Sequence, residues 1–512
     1  MKIIVPMSGL GSRFVEKGYS DPKPLINVQG KPIIEHIINL FGEDSSFIFI
    51  CNSEHIKNTN MKEILESIAP NSIVLEIPKH KLGPVYACTF AFDLISEKEE
   101  VIVSYCDFGT YWNFNDFKLQ TSKQKDDGVI VCYKGFHPHM LHDSNYAFVK
   151  TNGTKAVDIK EKASFTDDKM SEYASNGIYY FKSGELVKKY FNKLLKSDMK
   201  VNGEFYVSMI YKLMLDDNLD VSVHEIEHML QWGTPRDLEE YLYWVDVFNS
   251  LAKFNKKTIQ VEMNLLVPMA GKGQRFIDEG YKVIKPLIEL SGEPMIHNVL
   301  NFLPKFETNT FVVHSTLKKQ LKSILDLNDI VSIESNNGGQ ATSTIAGVAN
   351  IKNTLPIFVT ACDSALHIDY NKLNKEIQEP FDLIVLCTKD YPYSVIKPEH
   401  YGWVNLKNNK IISTELKKKP SAGFENLLIT GSFIFKNKEV LSTLYKTLED
   451  ENIQINNEYY LDSMIDVALS HDMKVKCFLV DQYISWGTPD ELKTFEYWQR
   501  FFTKDSNHIY SM

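Results

Sequence analysis

The sequence is poor in cysteine and has no excess of positive charge. It contains 7 cysteines in 512 residues, none in a Cys-x-x-Cys pair, which predicts free thiols in a reducing compartment and argues against disulfides or structural zinc. Lys and Arg number 56 against 66 Asp and Glu, a net charge of −10. This balance argues against binding to nucleic acid or to an anionic membrane, which both require a basic surface.

Long hydrophobic runs are also missing. The apolar run from Ile3 to Val5 ends at Pro6, which is too short for the core of a signal peptide. Nowhere do about 18 apolar residues follow one another, the length that a membrane-spanning helix needs. We therefore expect a soluble, cytoplasmic protein, in which 44% hydrophobic residues suffice for two or three cores.

The chain contains one ordered set of segments twice. The decapeptide "VPMSGLGSRF" at residues 5–14 returns as "VPMAGKGQRF" at residues 267–276. In the same order, "VSYCDF" returns as "VTACDS", "NGEFY" as "NNEYY", and "QWGTPRDLEEYLYW" as "SWGTPDELKTFEYW". A repeat this long indicates two copies of a whole domain. We predict domains at residues 1–252 and 262–512, with the boundary in the charged segment "LAKFNKKTIQVEM".

Each copy alternates short apolar runs with longer amphipathic ones. The first run is Lys2 to Val5 in one copy and Leu265 to Val267 in the other. This alternation predicts the α/β class, with two tandem Rossmann-like domains whose mostly parallel, mixed sheets are flanked by helices. In "GTPRDLEEY", Thr234 and Asp237 predict a capping box at a helix start, and "GTPDELKTF" repeats it.

A glycine-rich turn directly follows the first strand of each copy. Such a turn directs several backbone N–H groups to one point, which suits a phosphate. It lacks the third glycine of a dinucleotide fingerprint, and no Gly-Lys-Ser/Thr follows, so neither common phosphate-binding motif is present. The turn alone is weak evidence. Its glycines are Gly9, Gly11, Gly271 and Gly273.

Two cationic residues follow each glycine turn at the same spacing. An arginine comes two positions after the second glycine, and a lysine comes ten positions later: Arg13 with Lys23, and Arg275 with Lys285. Arginine can fork onto two phosphate oxygens, and lysine supplies a mobile charge. The pattern predicts a polyphosphate site, with a solvated basic rim as the alternative.

An aspartate ends an apolar strand in both copies. Asp107 and Asp363 follow Cys106 and Cys362, at the strand end where ligands of open α/β sheets bind. A carboxylate beside a polyphosphate is the expected ligand of Mg²⁺. The alternative is an aspartate that caps the next helix.

Read in order, these segments and "IKEKAS" before "SNGIYYF" resemble those of nucleotide-sugar pyrophosphorylases. These sugar-phosphate nucleotidyltransferases have an α/β fold related to GT-A. The resemblance covers nearly all of both halves. It implies transfer of a nucleotidyl group from a nucleoside triphosphate to a sugar phosphate, or a sugar-like polyol phosphate, with Mg²⁺ as cofactor and release of pyrophosphate. It also implies a role in surface polysaccharide or capsule synthesis.

The resemblance implies a role for each motif residue. The catalytic residues that hold the triphosphate are Arg13, Lys23, Arg275 and Lys285, and the metal ligands are Asp107 and Asp363. The nucleotide-binding residues are Gly9, Gly11, Gly83, Gly271, Gly273, Gly339 and Gln340. The sugar-phosphate-binding residues are Glu161, Lys162, Asn176 and Lys419.

Several positions depart from the family pattern. A second metal-binding Asp is replaced by Gln231-Trp232 and Ser485-Trp486; Glu227 or Asp481 could substitute for it, or be solvated strand residues. The second copy reads "GGQATST" where the first reads "LGPVYAC", so Pro84 makes base recognition differ between them. Lys418, Thr430 and Ser432 stand where the first copy has Glu161, Asn176 and Ile178, which predicts a different sugar pocket.

Alternative functions remain open from the sequence. One half could be a silent sensor of nucleotide or sugar, or a dimerisation platform. A related glycosyltransferase shares the fold, but "CDFGT" and "CDSAL" lack its Asp-x-Asp. The resemblance implies a homo-oligomer, for which the duplication could substitute an internal pseudo-dimer. His137, His139 and His142 lack the spacing of a usual zinc site, so we interpret them as a polar loop over the sugar pocket.

Overall fold

The computed structural model describes residues 1–42, 44–142, 145–197, 199–253, 259–321, 324–326, 329–334 and 338–504. The chain divides into two compact units, Met1–Trp244 (unit 1) and Val245–Met512 (unit 2). Part of the segment in which we predicted the boundary, residues 254–258, lies outside the described residues, as does the end of the second predicted domain. The limits 1–252 and 262–512 stay a prediction.

Unit 1 begins with a strand and alternates strands with helices. Its strands are β1 Lys2–Met7, β2 Asn27–Val28, β3 Lys31–Pro32, β4 Ser46–Asn52, β5 Ile73–Ile77, β6 Val101–Ser104, β7 Phe108–Thr110, β8 Gly128–Tyr133, β9 Ala147–Asn152, β10 Lys155–Glu161, β11 Tyr173–Phe181, β12 Val221–Glu225 and β13 Met229–Gln231. Its helices are α1 Ser12–Glu16, α2 Ile33–Ile38, α3 Ser53–Asn58, α4 Met61–Ile68, α5 Pro84–Thr89, α6 Phe114–Gln124, α7 Gly184–Leu195, α8 Ser208–Asp216 and α9 Pro235–Lys253, which ends beyond the unit boundary.

Nine of the described strands of unit 1 form a mixed sheet in the order β5-β4-β1-β6-β11-β8-β12-β10-β9. Strands β5, β4, β1 and β6 run parallel, and β11 is antiparallel to both β6 and β8. Successive residues of β1 enter opposite cores: Ile4 packs with helices α5, α7 and α8, whereas Ile3 packs with α2, α4 and α6. Helices thus cover both faces of the sheet, and the predicted α/β class is confirmed.

Unit 2 repeats this architecture. Its strands are β14 Asn264–Pro268, β15 Glu289–Leu290, β16 Glu293–Pro294, β17 Thr308–His314, β18 Ile330–Ile333, β19 Ile357–Val359, β20 Ser364–His367, β21 Leu383–Thr388, β22 Gly402–Lys407, β23 Lys410–Leu416, β24 Glu425–Phe435, β25 Val475–Leu479 and β26 Gln482–Ser485. Its helices are α10 Gln274–Asp278, α11 Met295–Asn301, α12 Lys318–Leu321, α13 Gly339–Val348, α14 Tyr370–Gln378, α15 Pro392–Ile396, α16 Lys438–Asp450, α17 Ser463–Ser470 and α18 Pro489–Thr503. The order β18-β17-β14-β19-β24-β21-β25 matches the first seven strands of the unit 1 sheet.

A two-stranded ladder brings the late "WGTP" segment to the strand-end aspartate in each unit. Strand β13 pairs with β7, and the N–H of Trp232 donates to the carbonyl oxygen of Asp107 at 3.0 Å. Strand β26 pairs with β20 in the same way, with a 2.8 Å bond from Trp486 to Asp363. The predicted capping box at Thr234 is present, because its hydroxyl accepts the N–H of Asp237 at 3.3 Å.

The cysteines and helices agree with the composition. All seven cysteines lie in the described ranges and are free thiols. Burial raises the pKa of Cys106 to about 12, which keeps this thiol protonated and poorly nucleophilic at neutral pH. In the described part of the chain, no helix combines the length and the apolar character that crossing a bilayer requires.

Gly83 provides a test of how tightly two segments of unit 1 pack. Its φ of 87° and ψ of 178° lie in a region that is essentially confined to glycine, and an added Cβ would lie 2.8 Å from the backbone N and O of Phe205. We expect Gly83→Ala to lower the free energy of unfolding by about 3 kcal/mol or more, measured by urea denaturation. Gly203 also has a positive φ, 81°, but open space around it, so Gly203→Ala should cost about 1 kcal/mol. Equal losses would contradict this assignment.

Candidate active site

The second glycine of each turn makes room for the lysine that follows it in the motif. Gly11 has φ 61° and Gly273 has φ 66°, both left-handed, and each directly precedes a short helix. An added Cβ would lie 3.7 Å from the Cβ of Lys23 on Gly11, and 3.0 Å from that of Lys285 on Gly273. Glycine is therefore required both for the backbone conformation and, most clearly in unit 2, for the close approach of the lysine.

The motif lysine forms an ion pair with the strand-end aspartate in both units. Lys23 Nζ lies 2.8 Å from Asp107 Oδ2. Lys285 forms the same pair with Asp363 and also donates to the carbonyl oxygen of Gly487 at 3.0 Å. Burial is the largest single influence and lowers the pKa of each lysine, but the aspartate and the other neighbouring groups together outweigh it, so the net pKa is raised. Both lysines are therefore charged at neutral pH.

One cavity of 560 Å³ in unit 1 contains the whole predicted set of that unit. The triphosphate and metal residues lie in its wall together with the acceptor residues: Gly9, Gly11, Arg13, Lys23, Gly83, Asp107, Glu161, Lys162 and Asn176. Arg13 itself is exposed. Residues separated by up to 167 positions in the chain thus face one space, which is large enough for a nucleotide-sized ligand.

Lys162 is held in a strained backbone conformation at the edge of this cavity. Its φ is 57°, and its N–H donates to the carbonyl oxygen of Tyr146 at 2.9 Å. Its Nζ donates to the hydroxyl of Tyr206 at 2.6 Å and lies 4.3 Å from the centre of that ring. The Tyr206 hydroxyl in turn donates to Glu204. A non-glycine residue in the left-handed region is a frequent mark of a functional site.

Glu161 and Asn176 line the same cavity as partly and fully buried polar groups. Burial raises the pKa of Glu161 to about 7, although the hydroxyl of Ser208, which donates to it at 2.5 Å, and Lys162 both oppose the shift. Asn176 Oδ1 accepts the N–H of Ile178 at 3.0 Å. Among the described residues its buried Nδ2 has no hydrogen-bond partner, so it remains available to a ligand.

Unit 2 places Lys417, not Lys419, at the position equivalent to Lys162. Lys417 has φ 54°, its N–H donates to the carbonyl oxygen of Tyr401 at 3.1 Å, and its Nζ lies 5.7 Å from the ring centre of Tyr460. Lys162 shares these three features, but its Nζ donates to a tyrosine hydroxyl, whereas Lys417 Nζ donates to the carbonyl oxygen of His400 at 2.7 Å. The pairing of strands β22 and β23 places Lys417, the first of the three consecutive lysines, at this position. Lys419 is exposed.

The same hairpin register corrects a second predicted correspondence. Leu416 pairs with Gly402 as Glu161 pairs with Ala147, so Leu416 rather than Lys418 replaces Glu161. The hydroxyl of Thr430 donates to the carbonyl oxygen of Leu386 at 2.9 Å. It therefore offers no free donor like that of Asn176, and Ser432 pairs with the hydroxyl of Thr360 at 2.8 Å.

A small space beside the strand-end aspartate could hold a metal ion. A Cβ added to Gly233 would lie 3.0 Å from Asp107 Oδ2 and 3.2 Å from Gln231 Oε1. In unit 2, a Cβ on Gly487 would lie 3.3 Å from oxygens of Asp363, Ser485 and Glu491. Oxygen donors of this kind suit Mg²⁺, which takes one or two protein carboxylates and completes its shell with water and phosphate. In the described ranges, no group of three or more His, Cys, Asp or Glu residues is arranged for a metal.

Neither substitute for a second metal-binding aspartate lies at this space. The β20–β26 ladder puts Asp363 at one end and Asp481, whose N–H donates to the carbonyl oxygen of His367, at the other. Glu227 likewise precedes β13 at the far end from Asp107 and pairs with His228 at 3.3 Å. Both acids are exposed, as the solvated alternative expected, but they lie just before strands β13 and β26 and not within them.

His137 and His139 do not form part of the polar loop that we expected over the sugar pocket. His137 and His139 are 1% and 5% exposed, and both rings pack against Tyr133 at centroid distances of 4.5 and 5.5 Å. Residues 145–147, which follow them, line the cavity instead. The segment is polar in composition, but packing against Tyr133 buries these two histidines.

The base-recognition segments also differ in structure. Gly339 has φ 85°, and an added Cβ would lie 2.9 Å from the carbonyl oxygen of Tyr459, which matches the packing of Gly83. Gln340 follows it in α13, whereas Pro84 begins α5 in unit 1. Beside Pro84, His80 Nε2 lies 3.1 Å from the hydroxyl of Ser8, and both residues line the cavity.

Sequence reasoning missed Tyr206 and Ser208. Both lie at the end of or just beyond the repeated segment "NGEFY", and Tyr206 corresponds to Tyr460 in "NNEYY". The repetition was the available signal, because two copies preserve a glutamate and a tyrosine two positions apart. Without the folded hairpin, nothing indicated that the tyrosine holds the acceptor lysine.

Comparison with known proteins identifies the family. The sequence model of the nucleotidyl transferase family matches residues 2–260 and again residues 266–499. The chain therefore belongs to the nucleotidyl transferase family.

Two curated relatives show how far the sequence similarity extends. Bifunctional protein GlmU of Fervidobacterium nodosum is 25% identical over 234 residues, which cover 43% of this chain and 47% of that protein. GlmU of Buchnera aphidicola subsp. Schizaphis graminum is 27% identical over 215 residues, 41% of this chain and 42% of that protein. The chain thus matches about half the length of these relatives.

Two solved structures are similar to about half of this chain. The nucleoside-diphosphate-sugar pyrophosphorylase from Vibrio cholerae RC9 is 21% identical, covers 47% of this chain and 99% of its own, and has a TM-score of 0.40. The inositol-1-phosphate CTP transferase from T. maritima is 17% identical, covers 49% of this chain and 98% of its own, and has a TM-score of 0.39.

The raised pKa of Glu161 predicts a pH-dependent stability. Because its pKa is about 7 in the folded chain and about 4.3 in the unfolded chain, the wild type loses stability as the pH rises from 4.5 through 7. We expect the unfolding free energy of Glu161→Gln, relative to wild type, to increase by on the order of 2 kcal/mol between pH 4.5 and 7.5. Urea denaturation at both pH values measures it, with the exposed Glu185→Gln as control. A difference that is independent of pH would contradict the buried carboxyl.

Proposed function

We propose that each unit transfers a nucleotidyl group from a nucleoside triphosphate to the phosphate of a sugar or sugar-like polyol phosphate, and releases pyrophosphate. The observation that carries the proposal is the unit 1 cavity, in which Arg13, Lys23 and Asp107 share one space with Lys162. Membership of the nucleotidyl transferase family supports the reaction class.

The triphosphate would bind at the glycine turn. Gly9 is exposed, with open space where a side chain would be, so the chain offers backbone N–H groups there without obstruction. Lys23 is charged. Burial and Glu204 raise the pKa of Tyr206, and the charge of Arg13 opposes this rise. The two cations therefore bracket the space between the turn and the acceptor residues. They would neutralise the triphosphate.

The acceptor would bind at the opposite wall. Lys162 would hold the acceptor phosphate, because its Nζ is fixed by Tyr206 at the cavity edge. Asn176 Nδ2 and the carboxyl of Glu161 would bind hydroxyl groups, which both donate and accept hydrogen bonds. In unit 2, Lys417 takes the place of Lys162.

The space beside Gly233 would hold Mg²⁺ on Asp107 and Gln231, and the space beside Gly487 would hold it on Asp363. When bound there, the ion supplies positive charge for the phosphate oxygens of the triphosphate. Lys23 currently pairs with the same carboxylate. Lys23 is thus close enough to transfer its hydrogen bond from Asp107 to a phosphate oxygen.

The reaction requires no side-chain nucleophile. An oxygen of the acceptor phosphate forms a bond to the α-phosphorus while the bond from that phosphorus to the bridging oxygen of pyrophosphate breaks. Pyrophosphate leaves with the electron pair. Alignment of the two phosphates and stabilisation of the charge on the departing oxygen carry the catalysis. Synthesis of surface polysaccharide is the pathway that we propose from the family resemblance.

The two lysines give the most direct mutational test. We expect Lys23→Met to lower the kcat of unit 1 by about 100- to 1000-fold, because one preorganised charge at the leaving group is lost, and Lys285→Met to do the same in unit 2. The measurement is pyrophosphate release by the full chain with panels of nucleoside triphosphates and sugar phosphates, with products identified by mass spectrometry.

The control is Lys62→Met, which removes an exposed lysine that pairs only with Glu66 at 3.9 Å. It should leave pyrophosphate release within about twofold of wild type. Undiminished release by the Lys23→Met/Lys285→Met double variant would overturn the proposed roles. Loss of every product on a single substitution would indicate that the other unit is silent.

The metal assignment has its own test. Gly233→Ala should fill the space between Asp107 and Gln231, so the Mg²⁺ concentration for half-maximal activity of unit 1 should rise by about 10-fold or more. Gly42→Ala is the matched control, because its added Cβ would meet only Phe114 at 3.8 Å. Titration of Mg²⁺ into the chelator-treated full chain measures both. An unchanged Mg²⁺ requirement in Gly233→Ala would contradict the site.

A further inference from the structure

The two units differ in the element that supplies the acid beside the acceptor lysine. In unit 1 the acid is Glu161 on β10, and Ser208 on α8 donates to it at 2.5 Å. In unit 2, Leu416 occupies the strand position, and Asp462 occupies the helix position, directly before α17. The carboxylate has thus moved from the strand to the helix.

A third position changes together with these two. Ala147 lies opposite Glu161 and lines the cavity of unit 1. Its equivalent in unit 2 is Gly402, where an added Cβ would lie 2.6 Å from Asp462 Oδ2. Glycine is therefore required there to admit the carboxylate. Asp462 Oδ2 therefore lies beside the residue of unit 2 that corresponds to Ala147, which lines the cavity in unit 1.

Asp462 has a cationic neighbour but no hydrogen-bond donor. Burial raises its pKa to about 6, and Lys417 opposes that shift. Across the described residues, no side chain or backbone N–H donates to its carboxylate, whereas Glu161 has Ser208. The side chain of Asp462 is half-buried and its oxygens remain accessible, so a hydroxyl group of a ligand can donate a hydrogen bond to them.

Lys417 also lies near the glycine-turn arginine of its unit. Burial lowers the pKa of Lys417, Asp462 and Glu458 oppose this, and Arg275 adds to the lowering. A lysine and an arginine close enough to repel one another suit a phosphate between them. Asp462 and Arg275 thus both act on the charge of Lys417, whose Nζ donates to the carbonyl oxygen of His400 at 2.7 Å.

A neighbouring position carries a smaller side chain in unit 2. Tyr105 lines the cavity of unit 1, and its ring lies 3.1 Å from the position of a Cβ on Gly177. The equivalent pair in unit 2 is Ala361 and Gly431, with a distance of 4.0 Å to the Ala361 Cβ. The aromatic ring that bounds the unit 1 pocket is therefore replaced by a methyl group.

We propose that unit 2 binds its own acceptor, a phosphate monoester that carries hydroxyl groups and is bulkier than the acceptor of unit 1, with Lys417 on its phosphate and Asp462 on a hydroxyl. This inference rests on the proposed nucleotidyl transfer. Asp462 stands in for Glu161, and the smaller side chain of Ala361 accommodates the additional bulk. The two units then make different products from one chain.

The test uses the full chain with unit 1 silenced by Lys23→Met. The probes are glucose 1-phosphate, N-acetylglucosamine 1-phosphate, inositol 1-phosphate, glycerol 3-phosphate and ribitol 5-phosphate, each with five nucleoside triphosphates. We expect Asp462→Asn to raise the KM for the preferred acceptor about 10- to 100-fold and to leave the KM for the triphosphate within about twofold. Asp462→Glu, which keeps the carboxylate, should recover most of the loss.

Asp466→Asn is the matched control. Asp466 lies one turn further along α17, is exposed, and accepts from Thr414 at 2.9 and 2.5 Å, away from the acceptor space. Its acceptor KM should not change. The double variant Leu416→Glu/Asp462→Ser rebuilds the arrangement of unit 1 and should shift the acceptor preference towards that of unit 1.

The possible failures are distinguishable. Turnover with an unchanged acceptor KM in Asp462→Asn, or the same acceptor preference in both units, overturns this inference and leaves the proposed function standing. No pyrophosphate from the Lys23→Met chain with any pair of probes overturns nucleotidyl transfer in unit 2, and this inference with it. If Asp462→Asn does not fold, the Leu416→Glu/Asp462→Ser variant decides by its acceptor preference.

Discussion

The ion pair between the motif lysine and the strand-end aspartate is the interaction on which both sites depend. Each partner is largely withdrawn from water, with 24% and 26% of the Lys23 and Asp107 side chains exposed, and removing one would leave the other uncompensated. The second glycine of the turn gives the lysine the room to reach the aspartate. The glycine, the lysine and the aspartate, which are separated in the sequence, thus hold a cation and an anion together at the same strand end.

The lysine–aspartate ion pair is present in both units, whereas the residues around Lys162 and Lys417 differ. The turn glycines, the arginine and the lysine keep their spacing. The lysine pairs with the strand-end aspartate in both units, although the two residues are 84 positions apart in unit 1 and 78 in unit 2. Across the pocket, a lysine with positive φ is kept at Lys162 and Lys417, but the acid and the aromatic wall around it are rebuilt. The two copies thus keep the lysine–aspartate pair and differ in the residues around Lys162 and Lys417.

The sequence was most informative where a signal is local or repeated. Apolar runs predicted the strands, since buried strands show their pattern over a few residues. The repeated motif predicted a polyphosphate site beside Asp107, but not the ion pair of Asp107 with Lys23. The sequence did not predict features that depend on which residues pair between neighbouring strands. Three consecutive lysines look alike, and only the hairpin pairing of Leu416 with Gly402 places Lys417 at the position of Lys162. Asp462 lies 46 residues beyond Leu416, so no local pattern links the two, and the buried histidines near Tyr133 are polar by composition but aromatic in their packing.

The central claim is that each unit has its own triphosphate site. Equilibrium dialysis of the full chain against a mixture of the five common nucleoside triphosphates, with Mg²⁺ and without acceptor, measures it directly when total bound nucleotide is counted. The account predicts two nucleotides per chain at saturation, falling to one in Lys23→Met or Lys285→Met at the same concentration. A wild-type chain that binds one nucleotide or none, or lysine variants that still bind two, would contradict it.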